Sequence, residues 1–368
     1  MAHSAYVHDI RPLRIYWEVT RACDLACRHC RATAVPDADP DELTHREALR
    51  LIEQLEGFGD PLPHLVFTGG DPLKRADLFE LIAAARHIGF RVSVAPSATP
   101  LLTREAVIAL RDAGIDAISL SLDGSAAASH DAIRGIERTF DRTLSAAAVA
   151  RKIDLPFQVN TVVCGDTVDD LPAIYDLVRA MGAARWSLFF LVAVGRGRVL
   201  QPISAGRAEE VLQWAAALAA THRPGDPIVT TTEAPQLRRV SQQIRKTIGG
   251  TSPRGQHASH AAGVRDGNGV MFISHTGEIT PSGFLEMRLG SVRYDNVVDV
   301  YRHSWLFMEL REPDRFYGRC GDCEYHWVCG GSRARAYAAT GNPFGEDPLC
   351  AYQPAAKRLD AGLVAVKG

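Results

Sequence analysis

The sequence predicts an α/β protein: an open, partial barrel of six strand–helix units, followed by a small α+β domain near the C-terminus. Short β-rich segments alternate with helical segments from Leu13 to Leu191, which is the order of a parallel sheet with crossover helices. Six units are fewer than the eight of a closed (β/α)8 barrel. Beyond them the chain changes character and carries a predicted hairpin and a second set of cysteines.

Each predicted strand is short and rich in β-branched or aromatic residues. In chain order the strands are LRIYWEV, HLVFTG, FRVSVA, AISLSL, FQVNTVV and WSLFFLV. The helices between them are THREALRLIEQLEG, ADLFELIAAARHIG, LTREAVIALRDAG, TFDRTLSAAAVARK and LPAIYDLVRAMG. Thr44 with Glu47 forms a capping-box pattern, Thr103 is a second N-cap, and Gly89 and Gly182 lie just past predicted helix ends.

The remainder of the chain has a different pattern. One helix is predicted at 208–219, and FISHTGEITPSGF predicts a hairpin that turns at Thr276 and Gly277. A helix at 298–310 follows. We therefore expect four regions: a barrel core at 1–240, a linker or cover at 241–268, a small C-terminal domain at 269–355 and a tail at 356–368.

The composition is that of an ordinary globular protein and argues against several classes of partner. The chain has 368 residues, of which 46% are hydrophobic, and a formal net charge of −2. This charge provides no general attraction to nucleic acid or to an anionic membrane. The N-terminal MAHSAYVHDIRPLR has no apolar signal core, and no apolar run reaches the roughly 18 residues of a membrane span. We expect a cytoplasmic protein without nucleic-acid or membrane partners.

The first cysteine set follows the first predicted strand. Cys23, Cys27 and Cys30 have the spacing C-x3-C-x2-C. A [4Fe–4S] cluster normally takes four thiolates, so three local cysteines would leave one iron open to a substrate or cofactor. Zinc is an alternative, because His29 or His45 could complete a tetrahedral site. A disulfide is a weaker alternative in a cytosolic chain.

Two further motifs accompany these cysteines: TGGDP after the second strand and SLDG after the fourth. With the motifs in this order, the sequence resembles the radical SAM superfamily. The resemblance implies a partial (β/α)6 radical SAM barrel, in which Cys23, Cys27 and Cys30 hold a [4Fe–4S] cluster and S-adenosylmethionine binds the fourth iron. It also implies reductive cleavage of S-adenosylmethionine to a 5′-deoxyadenosyl radical, which abstracts hydrogen from a substrate C–H bond.

The resemblance assigns contacts with S-adenosylmethionine to the TGGDP loop. Gly69 and Gly70 allow the backbone to approach a ligand closely. Together with Asp71 and Pro72, they form the loop that, by resemblance, hydrogen-bonds the methionyl amino group. Asp71 stands where the family usually has glutamate, which shortens the side chain by one methylene and keeps its charge.

Three further residues match the family's cofactor pocket. Ser97 lies on the stretch that lines this pocket after the third strand. Ser121 and Arg134 match positions that reach the cofactor carboxylate in related enzymes, where a guanidinium is chemically suited. His29 has two interpretations, packing near the adenine or bonding to the backbone of its own loop.

The second cysteine set lies near the C-terminus with the spacing C-x2-C-x5-C-x20-C: Cys320, Cys323, Cys329 and Cys350. Taken alone, this spacing also fits a zinc ribbon. Beside a radical SAM core it resembles the auxiliary-cluster domains called SPASM and twitch, which implies a second, fully ligated [4Fe–4S] cluster. Ser282 and Ser332 stand where a full SPASM pattern has cysteines for another cluster. We therefore expect one auxiliary cluster.

Over nearly its whole length the sequence is similar to radical SAM enzymes that alter tetrapyrrole propionates in alternative haem and haem d1 biosynthesis. The segments WEVTRACDLACRHCRA, FTGGDPLKRADLFELI, FFLVAVGRGRVL and CEYHWVCGGSRARAYA carry the similarity. It implies an acidic tetrapyrrole as the small-molecule substrate and a reductant such as flavodoxin or ferredoxin. Four arginines suit such a substrate, or else are solvated or pair with local acids: Arg196, Arg198, Arg333 and Arg335.

Two other functions stay open on the sequence. One is a peptide-modifying SPASM maturase; such enzymes often carry an N-terminal peptide-binding domain, for which the short segment before the first strand leaves no room. The other is a non-catalytic iron–sulfur protein that binds S-adenosylmethionine. The remaining cysteine, Cys164, is expected to be a small, buried hydrophobic residue.

Overall fold

The computed structural model describes residues 8–248 and 263–355. Its main feature is a parallel sheet with helices packed along the outer face. The strands are β1 (Arg14–Thr20), β2 (His64–Gly69), β3 (Val92–Val94), β4 (Ala117–Ser121), β5 (Phe157–Val163), β6 (Arg185–Phe190), β7 (Ile228–Thr232), β8 (Arg265–Asp266), β9 (Gly269–Ile273), β10 (Glu278–Thr280) and β11 (Gly290–Ser291). β1 to β7 are parallel neighbours in chain order, and β9 pairs in parallel with the other edge of β1.

The helices are α1 (His45–Glu56), α2 (Leu78–Ile88), α3 (Arg104–Asp112), α4 (Ala127–Arg134), α5 (Thr139–Lys152), α6 (Leu171–Met181), α7 (Ala205–Ala220), α8 (Gln236–Ile248), α9 (Val297–His303), α10 (Trp305–Leu310), α11 (Gly318–Asp322) and α12 (Arg333–Thr340). Crossover helices α1 to α7 connect the parallel strands. None of the helices within 8–248 and 263–355 is long and apolar enough to cross a membrane.

The strands alternate between an apolar outer face and a polar inner face. In β1, Ile15, Trp17 and Val19 are fully buried against the helices. Arg14 and Tyr16, on the opposite face, are half-buried. Because side chains alternate along a strand, the same arrangement recurs in the neighbouring strands and gives the open barrel a polar interior.

The predicted fold class is confirmed, and all six predicted strands and the five helices between them are present. The capping box of Thr44 and Glu47 forms at the start of α1, and Thr103 caps α3. The seventh parallel strand, β7, was not predicted, because IVTTT is short and has little apolar alternation. The short helix α4 was also missed, and its N-cap, Ala126, makes no side-chain capping bond.

The C-terminal strands extend the sheet of the barrel. The predicted hairpin is confirmed, since β9 and β10 pair antiparallel with Ile279 opposite Ile273. The helix expected at 298–310 is divided at Ser304, whose extended backbone separates α9 from α10. Residues 241–248 of the expected linker belong to α8, whereas 249–262 and the tail at 356–368 lie outside the described residues.

Candidate active site

The first cysteine set lies in the loop after β1, at the carboxyl edge of the parallel sheet. Cys23 and Cys27 are buried and Cys30 is half-buried. The three pack together with Leu25 and Ala34, and the Cys30 N–H donates to the Cys27 carbonyl at 3.2 Å. The structure therefore brings the three predicted ligands together in one compact loop.

Burial raises the pKa of the Cys23 and Cys27 thiols. Both thiols are therefore protonated at neutral pH unless a positive centre replaces the proton. One cation is already present, because Nη1 of Arg134 lies 3.8 Å from Sγ of Cys27. The loop thus has the donor chemistry of a buried metal centre, whose charge would stabilise the thiolates.

Gly69 and Gly70 bring the loop after β2 directly against the cysteine loop. The Gly70 N–H donates to the Thr20 carbonyl at 2.8 Å. A Cβ on Gly70 would lie 2.3 Å from the Ala22 carbonyl oxygen, and one on Gly69 would lie 2.3 Å from that of Thr20. Only glycine allows two backbones to approach this closely.

The Asp71 carboxylate is engaged within its own loop. Its Oδ2 accepts from the Thr99 hydroxyl at 2.6 Å, and its Oδ1 accepts from the backbone N–H groups of Leu73 and Ser97. Burial raises the pKa of this carboxyl group. Pro72, also buried, begins a short 3₁₀ turn. Asp71 therefore holds the loop in shape, and its contact with S-adenosylmethionine stays a prediction.

Ser97 and Ser121 lie at the carboxyl ends of neighbouring strands. Ser97 joins two loops, since its hydroxyl donates to the Gly70 carbonyl at 2.7 Å and lies 3.6 Å from Sγ of Cys23. Ser121 is the half-buried last residue of β4. Both residues therefore share the sheet edge of the cysteine loop.

Arg134 ends α4 and is buried beside the cysteine loop. Its Nη2 lies 2.5 Å from Oδ2 of Asp123. Its Nε is buried without a partner among the described residues, as is Nδ1 of the neighbouring His29. Burial, followed by the charge of Arg134, lowers the pKa of His29 to about 4, so this ring is neutral at pH 7. The unpartnered Nε fits a ligand carboxylate.

Arg196 is part of the cysteine loop's support. Its Nε donates to the Cys27 carbonyl at 3.0 Å and its Nη1 donates to the Ala34 carbonyl at 3.1 Å. The Arg196 backbone N–H donates to the Cys30 carbonyl at 3.0 Å. A Cβ on the preceding Gly195 would lie 2.3 Å from a carbonyl oxygen of the loop. Arg196 therefore supports the cysteine loop through Nε and Nη1, while its Nη2 is buried without a partner among the described residues.

The second cysteine set lines one cavity, with all four predicted ligands in its wall: Cys320, Cys323, Cys329 and Cys350. Backbone N–H groups of Asp347, Tyr325 and Gly331 donate to the sulfurs of Cys320, Cys323 and Cys329 at 3.4 to 3.5 Å. Burial raises the pKa of Cys329 to about 12 and that of Cys350 to about 11. Four thiols and amide donors around one cavity match the needs of an iron–sulfur cluster.

Both serines at expected cysteine positions are used in local hydrogen bonds. Ser282 accepts from the backbone N–H of Leu285 at 3.2 Å. The Ser332 hydroxyl donates to Glu233 at 2.5 Å. Burial, and next the charge of Asp266, raises the pKa of Glu233 well above its ordinary value. Each serine therefore has a local hydrogen-bonding role, and the expectation of a single auxiliary cluster stays a prediction.

Two of the four candidate substrate arginines are internal. Arg333 is fully buried and donates to the carbonyls of Pro343 and Gly345. Arg335 forms a buried ion pair with Asp347 at 3.0 Å. The interpretation as a partner of a local acid therefore holds for Arg335, whereas Arg333 and Arg196 bond to backbone carbonyls, which the sequence did not indicate. Arg198 is exposed, without an ion pair inside the described part of the chain.

The structure disfavours a mononuclear zinc site at either cysteine set. His45 is turned away from the cysteine loop, since its Nδ1 lies 2.9 Å from Oδ2 of Asp77. Within residues 8–248 and 263–355, no three Cys, His, Asp or Glu side chains stand in position to hold one metal ion. Zinc needs its ligands at about 2.0–2.3 Å from one centre, whereas a cluster distributes its thiolates over several irons.

A charged network beside the cysteine loop was not predicted. Glu18 in β1 lies 2.5 Å from Nη2 of Arg31 and 2.6 Å from Nδ1 of His275. Nε2 of His275 lies 3.3 Å from Asp39. Glu18 is only 3% exposed. The sequence did contain a signal for this network, namely an acidic residue, Glu18, inside an otherwise apolar strand. A buried carboxylate requires partners, so basic side chains could have been expected beside it.

Comparison with known proteins agrees with this site. A family model described as the radical SAM superfamily matches residues 17–178. An AdoMet-dependent heme synthase of Oleidesulfovibrio alaskensis is 39% identical over 93% of this chain and 88% of its own length. An Fe-coproporphyrin III synthase of Methanosarcina barkeri is 29% identical over 93% of this chain and 88% of its own length.

Peptide enzymes are also similar to the chain. A PqqA peptide cyclase of Rhodopseudomonas palustris is 29% identical over 95% of this chain and 89% of its own length. Among solved structures, Streptococcus suis SuiB bound to its precursor peptide SuiA matches with a TM-score of 0.73 over 95% of this chain and 78% of SuiB. Its sequence identity is 16%, so this likeness concerns the fold alone.

Proposed function

The chain belongs to the radical SAM superfamily, and we propose that it oxidatively decarboxylates propionate side chains of an iron coproporphyrin-like tetrapyrrole. One observation carries the proposal. The chain is 39% identical, over 93% of its length, to an AdoMet-dependent heme synthase. The packing of the cysteine loop, the glycine pair and Arg134 at one sheet edge supports it.

In this proposal each group at the sheet edge has a separate task. Cys23, Cys27 and Cys30 would hold the [4Fe–4S] cluster, which supplies the electron that cleaves S-adenosylmethionine. The backbone at Gly69 and Gly70 would bind the methionyl amino group. The unpartnered Nε of Arg134 would bind the methionyl carboxylate, with Ser97 and Ser121 lining the same pocket. Enclosure of the loop excludes water from a reactive radical.

The proposed reaction on each propionate is balanced by one electron acceptor. Transfer of a hydrogen atom from the propionate carbon next to the ring to the 5′-deoxyadenosyl radical would give 5′-deoxyadenosine and leave a carbon radical on the substrate. Cleavage of the bond to the carboxylate then releases carbon dioxide, leaves a vinyl group and frees one electron. The four cysteines lining the second cavity would hold an auxiliary [4Fe–4S] cluster, to which we assign the role of electron acceptor.

Other parts of the proposal rest on the sequence. We propose the division expected from the sequence, a core at 1–240, a linker or cover at 241–268, an auxiliary-cluster domain at 269–355 and a tail at 356–368, with the core extended to residue 248, where α8 ends. A cytoplasmic location and a flavodoxin- or ferredoxin-type reductant also stay predictions.

Anaerobic turnover of the reconstituted protein tests the function. With dithionite and iron coproporphyrin III, we expect 5′-deoxyadenosine together with a porphyrin that has lost carbon dioxide and two hydrogens at each converted propionate. The C27A variant should form no 5′-deoxyadenosine yet keep the absorbance of the auxiliary cluster. The C323A variant should lose the absorbance of the auxiliary cluster and still form 5′-deoxyadenosine. Its yield of decarboxylated porphyrin should be reduced.

The cysteine that belongs to neither set, Cys164, provides the matched control. Cys164 is fully buried, as expected, and its thiol contacts Thr167 outside both cysteine sets. C164A should therefore retain the iron of both clusters. Unchanged porphyrin with continued 5′-deoxyadenosine formation would reject the tetrapyrrole and direct attention to peptide substrates. Equal loss of both clusters from C27A and C323A would contradict the ligand assignment.

A further inference from the structure

Arg333 donates a hydrogen bond to a sulfur of the second cysteine set. It is the first residue of α12 and is fully buried. Its Nη2 lies 3.4 Å from Sγ of Cys320. A Cβ on Gly331 would lie 2.6 Å from this Nη2 and 3.1 Å from the same sulfur. The absence of a side chain at Gly331 therefore allows the guanidinium to reach the sulfur.

The charge of Arg333 is not balanced by a carboxylate. Its other N–H groups donate to the backbone carbonyls of Gly331, Pro343 and Gly345, and no carboxylate oxygen of the described residues accepts from its side chain. Carbonyl groups fix the orientation of a guanidinium but leave its positive charge in place. Arg333 therefore presents an uncompensated charge to Sγ of Cys320, where it favours a negative sulfur.

A second arginine shares an aromatic ring with Arg333. Arg265 is buried, and its Nη1 and Nη2 donate to the carbonyls of Gly263 and Leu310. Its Cζ lies 5.3 Å from the centre of the Phe316 ring, and that of Arg333 lies 4.5 Å from the same centre. The ring attracts each cation, but two like charges in a desolvated space still repel each other.

A third arginine lies beside another cysteine of the set. Arg238 belongs to α8, and its Nη1 donates to the carbonyl of Val328 at 3.3 Å. Val328 directly precedes Cys329 in the sequence. Within the part of the chain that the structure describes, no carboxylate forms an ion pair with Arg238. It therefore adds a further positive charge near the sulfurs.

Asp266 offsets part of this positive charge. Its Oδ2 accepts from the backbone N–H groups of Arg333 and Ala334, both at 3.0 Å. Its charge also raises the pKa of Arg265, but burial and the charges of Arg333 and Arg238 lower that pKa to about 9. One carboxylate does not balance three guanidiniums. An anionic group in the neighbouring cavity would restore the balance.

Four other arginines near the two cysteine sets do have carboxylate partners: Arg134 with Asp123, Arg239 with Glu209, Arg319 with Glu346 and Arg335 with Asp347. Among them, Arg134 is the one that contacts a cysteine of the first set, at 3.8 Å from Sγ of Cys27. Arg333 is closer to its sulfur and lacks such a partner. The arginines without partners therefore concentrate positive charge at the second set.

An iron–sulfur cluster is a group whose chemistry responds to such charge. A cluster held by four thiolates is anionic, and reduction adds a further negative charge. Its reduction potential depends on the surrounding charge and on hydrogen bonds to its sulfurs. Cations and N–H donors close to the thiolates stabilise the reduced form more than the oxidised form. They therefore make the cluster easier to reduce.

We infer that Arg333, with Arg238 and Arg265 adding to the same field, raises the reduction potential of the auxiliary cluster and so favours electron transfer from the substrate radical. The inference rests on the proposed function and deepens it, since it names residues that act through the cluster and do not contact substrate. Each conversion takes one electron to cleave S-adenosylmethionine and releases one from the substrate radical. The flavodoxin- or ferredoxin-type carrier therefore balances both transfers.

Anaerobic redox titration of the reconstituted protein tests the inference without turnover. All variants are made in the C27A background, so that the EPR signal of the reduced protein reports the auxiliary cluster. At a fixed ambient potential, R333Q should lower the ratio of reduced to oxidised cluster about tenfold. For one electron this is a midpoint shift of about 59 mV to more negative values. R333K, which keeps the charge, should shift the midpoint less.

R238Q tests the same field with less risk to the fold. Arg238 is half-buried, and the hydrogen bond that the variant loses is a long one, at 3.3 Å. Its midpoint should shift in the same direction as that of R333Q and by a smaller amount. R50Q is the matched control, because it removes a charge from an exposed residue of α1, where water and salt screen it. Its midpoint should not change.

The outcomes separate this inference from the proposed function. A wild-type midpoint in R333Q with full iron content, or in R238Q if R333Q loses its iron, would overturn the inference alone. C27A protein without a reducible cluster would overturn both the assignment of the auxiliary cluster and the inference. The expected shifts, together with no decarboxylation of iron coproporphyrin III by wild type, would reject the tetrapyrrole and support the inference.

Discussion

Neighbouring side chains of the same type have different roles in this protein because their surroundings differ. Arg196 and Arg198 both lie in the segment GRGRVL, and the sequence offered both as substrate ligands. Arg196 is bound to carbonyls of the cysteine loop, whereas Arg198 is exposed. The charge of an arginine is visible in the sequence, but its partner is not.

Replacing Arg196 tests its positioning role. R196Q removes hydrogen bonds to the carbonyls of Cys27 and Ala34, which should cost roughly 1–3 kcal/mol because buried acceptors lose their donor. We expect lower iron content after gel filtration and slower 5′-deoxyadenosine formation, with the auxiliary-cluster absorbance retained. R198Q is the neighbouring control and should keep full iron content. Equal iron in both variants would contradict a supporting role for Arg196.

The sequence identified the predicted cofactor residues, but it indicated the neighbours of only some of them. The cysteines and the Gly69–Gly70 pair were recognisable because spacing and the absence of a side chain are local properties. The enclosure of Asp71 by Thr99 was not, because Thr99 reaches it from the loop after another strand. Arg134 was identified by resemblance, and its contact with Cys27 depends on how α4 packs.

The loops at the carboxyl ends of the strands act together on the cysteine loop. The loop after β2 approaches it through Gly69 and Gly70, and the turn after β6 approaches it through Gly195. Each contact joins backbone to backbone, so the space available depends on the absence of a Cβ. The shape of the cysteine loop is therefore set by two neighbouring elements as well as by its own sequence.

A single added methyl group should disturb this contact. In G70A the new Cβ would lie 2.3 Å from the Ala22 carbonyl oxygen, so the loops must separate at a cost of about 1–3 kcal/mol. We expect loss of iron from the first cysteine set and weaker binding of S-adenosylmethionine, measured by iron analysis and calorimetry.

A glycine in an open position provides the control for G70A. Gly206 lies in α7, with its nearest potential contact, Ser204 Oγ, at 4.0 Å. G206A should leave iron content unchanged and raise the thermal midpoint slightly, since alanine favours a helix by roughly 0.5–1 kcal/mol over glycine. Normal iron content in G70A would show that the loops tolerate separation.

Distant parts of the chain meet in the charged network around Glu18. Glu18 belongs to β1, Arg31 follows the last cysteine of the first set, and His275 lies in the turn between β9 and β10. Burial alone would raise the pKa of Glu18, but Arg31 and His275 lower it to about 2. Burial would lower the pKa of His275, but its bonds to Glu18 and Asp39 raise it.

These shifts predict how stability depends on pH. The contribution of Glu18 is present above its ordinary pKa of 4.5 and is lost as the pH falls from there toward about 2. The contribution of His275 is complete below its ordinary pKa of 6.5 and is lost as the pH rises through the raised value. We expect the thermal midpoint of anaerobic protein to be highest between pH 4.5 and 6.5.

Two variants test the assignment of this pH dependence. H275Q should remove the decrease that begins above pH 6.5, whereas H87Q, which changes an exposed histidine on α2, should retain it. E18Q should destabilise the protein by roughly 3 kcal/mol at pH 6, because Arg31 and His275 lose their buried counter-charge. The same alkaline decrease in H275Q and wild type would assign the pH dependence to other groups.

Local pattern was sufficient for the strand–helix order, the helix caps and the two cysteine sets. Period, capping chemistry and thiol spacing are properties of short segments, and each can be read without knowing what packs against them. The parallel pairing of β9 with β1, the joining of Glu18 to His275 and the contact of Arg134 with Cys27 required the three-dimensional arrangement. Burial and charge pairing depend on residues that are distant in the chain, and no short segment contains both partners.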